Sequence, residues 1–435
     1  MYSTSEIKAA PVRQQKRIIT LDVVRGVALL GILLMNIAGV GLVYAYGDPS
    51  VSGGDQGLNL LVYNISDLLF EGTMRGLFTM LFGTGFILLV SRIEAKGLGV
   101  VSADIYYRRV IWLFLFGLFH AWVILWSGDI LYHYGLFGLF LFPLRNTKPL
   151  YLFAGGLFLL FVGVFNDISH YRDAVDLQKE ISEIQQVKAA GTTSLNYQQE
   201  TSVAKWEALN RKPTEQEINS ALENLRGDYF SARKQTAKLT TKLESTFTYN
   251  FFVWDVMSFL LIGMAFFKWG IIQGRKKHRF YLIMMLAGYL IGLSLNYYEL
   301  QVKTDNNFDS LAMLEANRTY QIGRFFVTMG HIGLIILVIK SGFLGWIQRS
   351  LAAVGRMALT NYLMQSILCT FFFYGYGLGM VGRLERYELY YVVFAVWILQ
   401  MIYSPVWLKY FRYGPAEWLW RSLTYKEKQP FRKAA

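Results

Sequence analysis

The chain has 435 residues, 54% of them hydrophobic, 16% aromatic and only 17% charged, with a mean hydropathy of +0.31. Soluble domains carry roughly 25% charged residues, and apolar runs of membrane-spanning length recur along this chain, so a soluble enzyme or binding module is excluded. The formal net charge of +13 does not indicate nucleic acid either: the positives lie in short stretches beside apolar runs, as at Arg108–Arg109, Arg275–Arg279 and Lys409–Arg421, which is the positive-inside pattern of a membrane protein.

In chain order, residues 1–17 form a polar, basic segment expected in the cytoplasm, with no cleavable signal peptide. Putting the basic flanks inside predicts ten spans, at 18–44, 73–92, 105–126, 129–144, 149–166, 247–271, 279–298, 319–340, 351–374 and 387–409. The expected fold is therefore all-α: a polytopic transmembrane bundle with an N-terminal half at 18–166, a C-terminal half at 249–412 and a cytoplasmic tail at 413–435. Two pieces depart from a plain bundle. Residues 56–72, QGLNLLVYNISDLLFEG, are apolar but short and read as a re-entrant or interfacial half-helix. Residues 167–248 contain no spanning run, have nearly balanced charge and are rich in helix formers. They predict a helical, extracytoplasmic hairpin or cap, with a turn near Gly191. Cys369 is the one cysteine, so no disulfide can form within the chain. The five histidines include no HxxxH pair, and no metal is expected.

Four stretches carry polar groups where lipid-facing residues would be apolar. In RIITLDVVRGVALLGILLMNIAGV, 17–40, Asp22 and Arg25 are i,i+3 neighbours near one end of a span, with Asn36 three turns further along. The structural alternative is an ion pair that snorkels to water. The functional one is a polar pocket in which the planar fork of Arg25 grips an anion such as phosphate. In YNISDLLFEGTMRGLFTMLFGTGFILL, 63–89, Asp67, Glu71 and Arg75 recur every four residues, which predicts one charged stripe facing protein or water. Gly76, Gly83 and Gly85 on the same stretch would admit a close helix neighbour.

In LFGLFHAWVILWSGDILYHYGLFGLFLF, 115–142, His120 lies about three turns beyond Arg108, past the middle of the bilayer. A neutral imidazole there can pack or serve as a general base. SGD at 127–129 breaks the helix, and Asp129 can cap the next one. His133 is expected at the outer interface. In GRMALTNYLMQSILCTFFFYGYGLG, 355–379, Arg356, Thr360, Asn361 and Gln365 line one helix face, followed by Ser366. Interhelical hydrogen bonds are the structural reading.

LDVVRGVALLGILLMN, HAWVILWSGDILYHYGLFGL and the C-terminal GRMALTNYLMQS…FYGYGLG…SPVWLKYFRYGPAEWLWRSLTY resemble the YeiB-like family of bacterial inner-membrane proteins, whose C-terminal half is a domain of unknown function, DUF 418. The resemblance covers most of the chain apart from 167–248. More distantly, LDVVRG with Asn36 after it, then the D-L-x-F segment at Asp67 and the Gly-rich second span, resemble transmembrane acyltransferases of the heparan-glucosaminide acetyltransferase type. That resemblance implies an acyl group passing from cytosolic acyl-CoA to an acceptor across the membrane. Asp22, Arg25, Asn36 and Asp67 match its motif positions. The stretch before D-L-x-F has no histidine where that family places one, which leaves either a different chemistry or His120 in that role from another helix.

The reading that follows is an acyltransferase of the bacterial inner membrane with both termini cytoplasmic. His120 is its base, Asp129 or Asp67 orients the imidazole, and Asp22, Arg25, Asn36, Arg75, Arg356, Asn361 and Gln365 line the donor side. Its partners are membrane lipids, acyl-CoA and a glycan or lipid acceptor, with a homo-oligomer open and no nucleic acid. The alternative is a transporter or lipid-handling protein in which Asp67, Glu71 and Arg75 couple to protons or substrate.

Overall fold

A computed structural model describes residues 18–433 except 47, 96, 98 and 191–194. The expected cytoplasmic segment 1–17 and the turn at 191–194 lie outside the described residues. Among those described, every named element is a helix, and the one β-bridge pairs Phe411 with Arg432.

Helix α1 (Ile19–Gly41) is buried along most of its length and sits at the centre of the bundle. Helices α2 (Gly57–Leu69) and α3 (Thr73–Glu94) follow, separated by a turn in which Gly72 takes φ 66°. That left-handed conformation suits glycine and ends a right-handed helix. Next come α4 (Gly99–Trp122) and the short α5 (Leu131–Gly138), which continues through a 3-10 turn at Phe142–Asn146. Helix α6 (Pro149–Ala189) runs unbroken for 41 residues. Helices α7 (Tyr197–Asn210), α8 (Glu215–Arg226) and α9 (Tyr229–Glu244) complete the insert, and a π-helical stretch leads into α10 (Val253–Lys268). The chain ends with α11 (His278–Asp305), α12 (Ser310–Ser341), α13 (Gly345–Arg356), α14 (Ala358–Phe373), α15 (Leu389–Tyr410) and α16 (Pro415–Tyr425).

The local chemistry explains these boundaries. Capping boxes at Asn196/Gln199 and Thr214/Glu217 start α7 and α8, and the carboxylates of Asp228 and Asp309 accept the first free N–H groups of α9 and α12. Gly342, at φ 71°, closes α12.

Seven helical segments are long and apolar enough to cross a membrane, which makes this a membrane-type helical bundle. They correspond to the expected spans one, two, five, six, seven, eight and ten. The other three differ from expectation. The third, α4, carries Asp104, Arg108 and Arg109 and does not meet the apolarity of the seven. The fourth is not one regular helix, because α5 loses its regularity after Gly138. The ninth is two helices, α13 and α14, meeting at Met357. The expected insert boundary at 167 falls inside α6, so the insert is built by extending α6 and α9 beyond the bundle rather than by a separately tethered domain.

Two glycine contacts set the packing around α1 and α3. A Cβ at Gly26 would overlap the carbonyl of Leu351, and one at Gly355 would overlap the carbonyl of Asp22, so α1 and α13 cross backbone to backbone. Gly83 meets the carbonyl of Leu260 on α10 in the same way, whereas Gly85 faces open space.

Candidate active site

His120, near the C-terminal end of α4, is fully buried, and both of its ring nitrogens are engaged. Nδ1 lies 2.6 Å from Oδ1 of Asp129, and Nε2 lies 2.7 Å from Oγ of Ser366 on α14. A carboxylate only accepts, so Nδ1 carries a proton; in the neutral imidazole Nε2 is then the acceptor facing the Ser366 hydroxyl, which also lies 3.4 Å from the Tyr362 carbonyl. The loop 123–130 turns the chain back so that Asp129 faces the helix it has just left, and Trp126 N–H donates to the His120 carbonyl at 3.2 Å. The other carboxylate oxygen, Oδ2, accepts from Tyr132 N–H at 2.7 Å. Asp129 thus caps α5 and orients His120 at once, two roles the sequence presents as alternatives. Asp129 and Ser366 are buried as well. The Tyr362 ring, one turn before Ser366 on α14, packs 4.9 Å from the imidazole, and the Trp126 ring stacks on the imidazole at 6.2 Å.

Tyr362 also forms the inner wall of a cavity of about 260 Å³. Near Tyr362 that cavity is lined by Phe82, Leu113, Leu131 and Tyr134. Its opposite end is basic, with Arg25, Arg92, Arg109, Arg356 and Arg421 on its walls against two acids, Asp22 and Glu417. Asp22 is paired with Arg25 at 3.1 Å. Glu417 accepts from the N–H groups of Leu359 and Thr360 at 2.6 and 3.0 Å and so caps α14. Both acids are thereby committed. Arg109 lies flat on Trp420, 3.6 Å from the ring centroid. Among the described residues, Nε and Nη2 of Arg356 and Nε of Arg421 are buried without a hydrogen-bond partner. A buried guanidinium nitrogen in that state can donate to an anion, although Arg75, Arg108, Arg324 and Arg386 carry such nitrogens outside this cavity too. The Gly26–Gly355 crossing is what brings Asp22 and Arg25 on α1 beside Arg356 on α13. His120 stands eleven residues past Arg109 on α4, about 16 Å along the helix, so the imidazole lies well inside the bundle from the basic end.

Other sequence-predicted residues stand elsewhere. Asp22, Arg25 and Arg356 reach the cavity; Asn36, Arg75, Asn361 and Gln365 do not line it. Asn361 donates to the Val354 carbonyl at 3.0 Å and to Ser404, and Gln365 donates to Gln400 at 3.0 Å, so both tie α14 to its neighbours. Asp67, Glu71 and Arg75 do not form one helical stripe, because Gly72 breaks the helix between them. Instead Asp67 pairs with Lys303 at 3.0 Å, Glu71 accepts from Tyr320, and Arg75 pairs with Asp255 at 3.2 Å, an aspartate shared with Arg324. Of the two carboxylates proposed to orient His120, Asp129 is the one in contact. His133, expected at an interface, is buried and bonded to Thr248 at 3.0 Å. The sequence reading did not single out Ser366, Tyr362, Arg92, Arg109 or Arg421 for the site. The spacing of Tyr362 and Ser366, one turn apart on an apolar helix, was the signal for two of them. Among the described residues, no group of three or more His, Cys, Asp or Glu side chains is placed to hold a metal ion.

A family model described as "Protein of unknown function (DUF418)" matches residues 266–427. The whole chain is similar to the uncharacterized protein YxaH of Bacillus subtilis (strain 168), at 33% identity over 97% of this chain and 98% of the relative. The uncharacterized protein YeiB of Escherichia coli (strain K12) is 31% identical over 95% and 98%. The chain belongs to the YeiB-like DUF418 family. The matched domain spans α11 to α16, and so supplies Arg356, Tyr362, Ser366 and Arg421, whereas His120, Asp129 and the α1 arginine come from the part before it. The site of this DUF418 protein is therefore assembled across both halves of the chain. No solved structure matches it.

Proposed function

We propose that the protein is a membrane-embedded acyltransferase that takes an acyl group from acyl-CoA at its basic, cytoplasmic end and delivers it towards an extracytoplasmic or lipid-linked acceptor. The observation that carries this reading is the continuity of the site. An arginine-lined mouth opens into an apolar cavity that Tyr362 helps to line, and the Tyr362 ring packs 4.9 Å from the His120 imidazole. A CoA thioester has the matching polarity: phosphates at one end, then a long neutral arm, then a reactive carbonyl. Arg25, Arg109, Arg356 and Arg421 would hold the phosphates. The arm would lie between Phe82, Leu113 and Leu131, and the thioester would come to rest near Tyr362. His120, polarised by Asp129, would act as general base. The basic flanks support a cytoplasmic mouth in a bacterial inner membrane, with both termini on that side.

Thiol release from acetyl-CoA and longer acyl-CoAs by the purified protein tests the reading. The parent should release CoA. His120→Ala should still bind the donor but lose turnover roughly 10²–10⁴-fold, the usual contribution of a general base. Turnover unchanged in His120→Ala refutes the mechanism.

The buried charges Lys303, Asp255 and Arg324, paired with the half-buried Asp67 and Arg75, favour a second reading, transport without covalent chemistry. It requires flux in vesicles that follows the proton gradient, with no consumption of thioester.

A further inference from the structure

We infer that Ser366 is the nucleophile that carries the acyl group as a covalent ester between donor and acceptor; this rests on the acyl-CoA reading of the cavity. The hydroxyl lies 2.7 Å from Nε2 of His120, whose Nδ1–H is held by Asp129 at 2.6 Å. That is the arrangement that activates a serine: base in contact with the hydroxyl, carboxylate fixing the tautomer and stabilising the imidazolium. The three side chains come from three separate elements and are all buried, so the proton relay is shielded from water. Tyr362 lines the cavity, and Ser366 stands one turn further along α14, about 6 Å deeper. Neither Ser366 nor His120 lines the cavity itself, so the thioester reaches this hydroxyl past the Tyr362 ring.

Donor and acceptor approach this point from opposite ends of the bundle. A covalent relay removes the need for both to occupy it at once. In the first half, Ser366 Oγ bonds to the thioester carbonyl carbon and its proton passes to Nε2. The C–S bond then breaks, and the departing thiolate takes that proton to leave as CoA thiol. In the second half, an acceptor hydroxyl or amine attacks the acyl-serine carbonyl and gives its proton to Nε2. The C–Oγ bond breaks and Oγ is reprotonated. The sum is acyl-CoA plus acceptor giving CoA thiol plus acylated acceptor.

The test uses the full-length protein in detergent, mixed with acetyl-CoA or decanoyl-CoA without acceptor, quenched in acid and mapped by peptide mass. The expected result is one acyl group on the peptide containing Ser366. It should resist neutral hydroxylamine, as an oxyester does and an acyl-imidazole does not. It should be absent from Ser366→Ala and His120→Ala, and convert in Ser366→Cys to a thioester that neutral hydroxylamine removes. Ser366→Ala, with a melting profile like the parent's, should lose turnover by at least about 100-fold. An adduct on His120 instead, or CoA release at the parental rate from Ser366→Ala, overturns the inference. Should no acyl-CoA be consumed, the donor reading fails separately, and an alkyl fluorophosphonate then decides the serine alone. Labelling of Ser366 that vanishes in His120→Ala upholds the nucleophile, and absence of labelling overturns it.

Discussion

Arg356→Ala should weaken acyl-CoA binding about 10- to 150-fold while leaving the fold intact. The magnitude follows from the partners this side chain has. Two of its buried nitrogens, Nε and Nη2, meet no protein acceptor among the described residues, so its removal breaks few internal hydrogen bonds and takes away donors aimed at a ligand. A hydrogen bond to a charged group is worth about 1.5–3 kcal/mol, and every 1.4 kcal/mol is tenfold in affinity. Arg25→Ala should cost less, because its Nη1 is already engaged by Asp22. Arg356→Lys should fall between, keeping the charge but not the two-pronged geometry. The assay is calorimetric titration with CoA and with pantetheine, which lacks the phosphates, at low and high salt. Only CoA should distinguish the variants, and its affinity should fall as salt rises. Equal CoA affinity in the parent, Arg356→Ala and Arg421→Ala would refute the assignment of the mouth to phosphate.

Asp129→Asn should keep the cap on Tyr132 yet lower turnover roughly 10²–10⁴-fold, because the amide no longer holds His120 in the tautomer that leaves Nε2 as acceptor; the check is thiol release beside a thermal melt. Gly355→Ala should force α1 and α13 apart, costing about 1–3 kcal/mol as overpacking does. A lower melting temperature together with weaker CoA binding would be seen, since the same crossing aligns Arg25 with Arg356. Loop 42–56 is tied to the insert through Asp48, whose pairing with Lys212 is 2.5 Å long. Partial burial opposes ionisation of Asp48, but its hydrogen bonds to Lys212 and Ser50 outweigh this and hold the carboxyl below its usual value. A carboxyl that titrates lower when folded contributes stability above its unfolded pKa, and that contribution vanishes as pH falls through the folded one. Hydrogen exchange around 209–215 should therefore be unchanged from pH 7 to about pH 5 and quicken, relative to the intrinsic rate, only below about pH 4. Lys212→Ala should show the faster exchange already at pH 7.

The length of each apolar run and the polar punctuation between runs announced α1, α6, α10, α11, α12 and α15, because both act within a few residues of chain. His120 and Asp129 stood out as polar groups nine residues apart across a Ser-Gly-Asp turn, but the sequence left Asp67 as an equal choice for the carboxylate. The Asp67–Glu71–Arg75 stripe failed at one glycine. Four-residue spacing means one face only while the helix continues, and here α2 stops at Leu69 and α3 restarts at Thr73 across the Gly72 turn. Arg109 and Arg421 read as flanking charge, which orients a membrane protein but does not tell which arginines converge, and Arg92 stood out in no pattern.

Composition and periodicity thus determined by themselves that this chain is a helical membrane protein, where most of its helices begin and end, and that a few histidines and carboxylates stand among its apolar runs. Only the tertiary structure decided that Asp129 rather than Asp67 orients His120, that five arginines meet at one mouth, and that Ser366, 246 residues away from His120 in sequence, closes the hydrogen-bond chain. Short-range order is written in spacing and local chemistry. Long-range contact depends on which helix faces touch; here close glycine crossings settled that, and a glycine such as Gly83 announces a close neighbour without saying which helix it is.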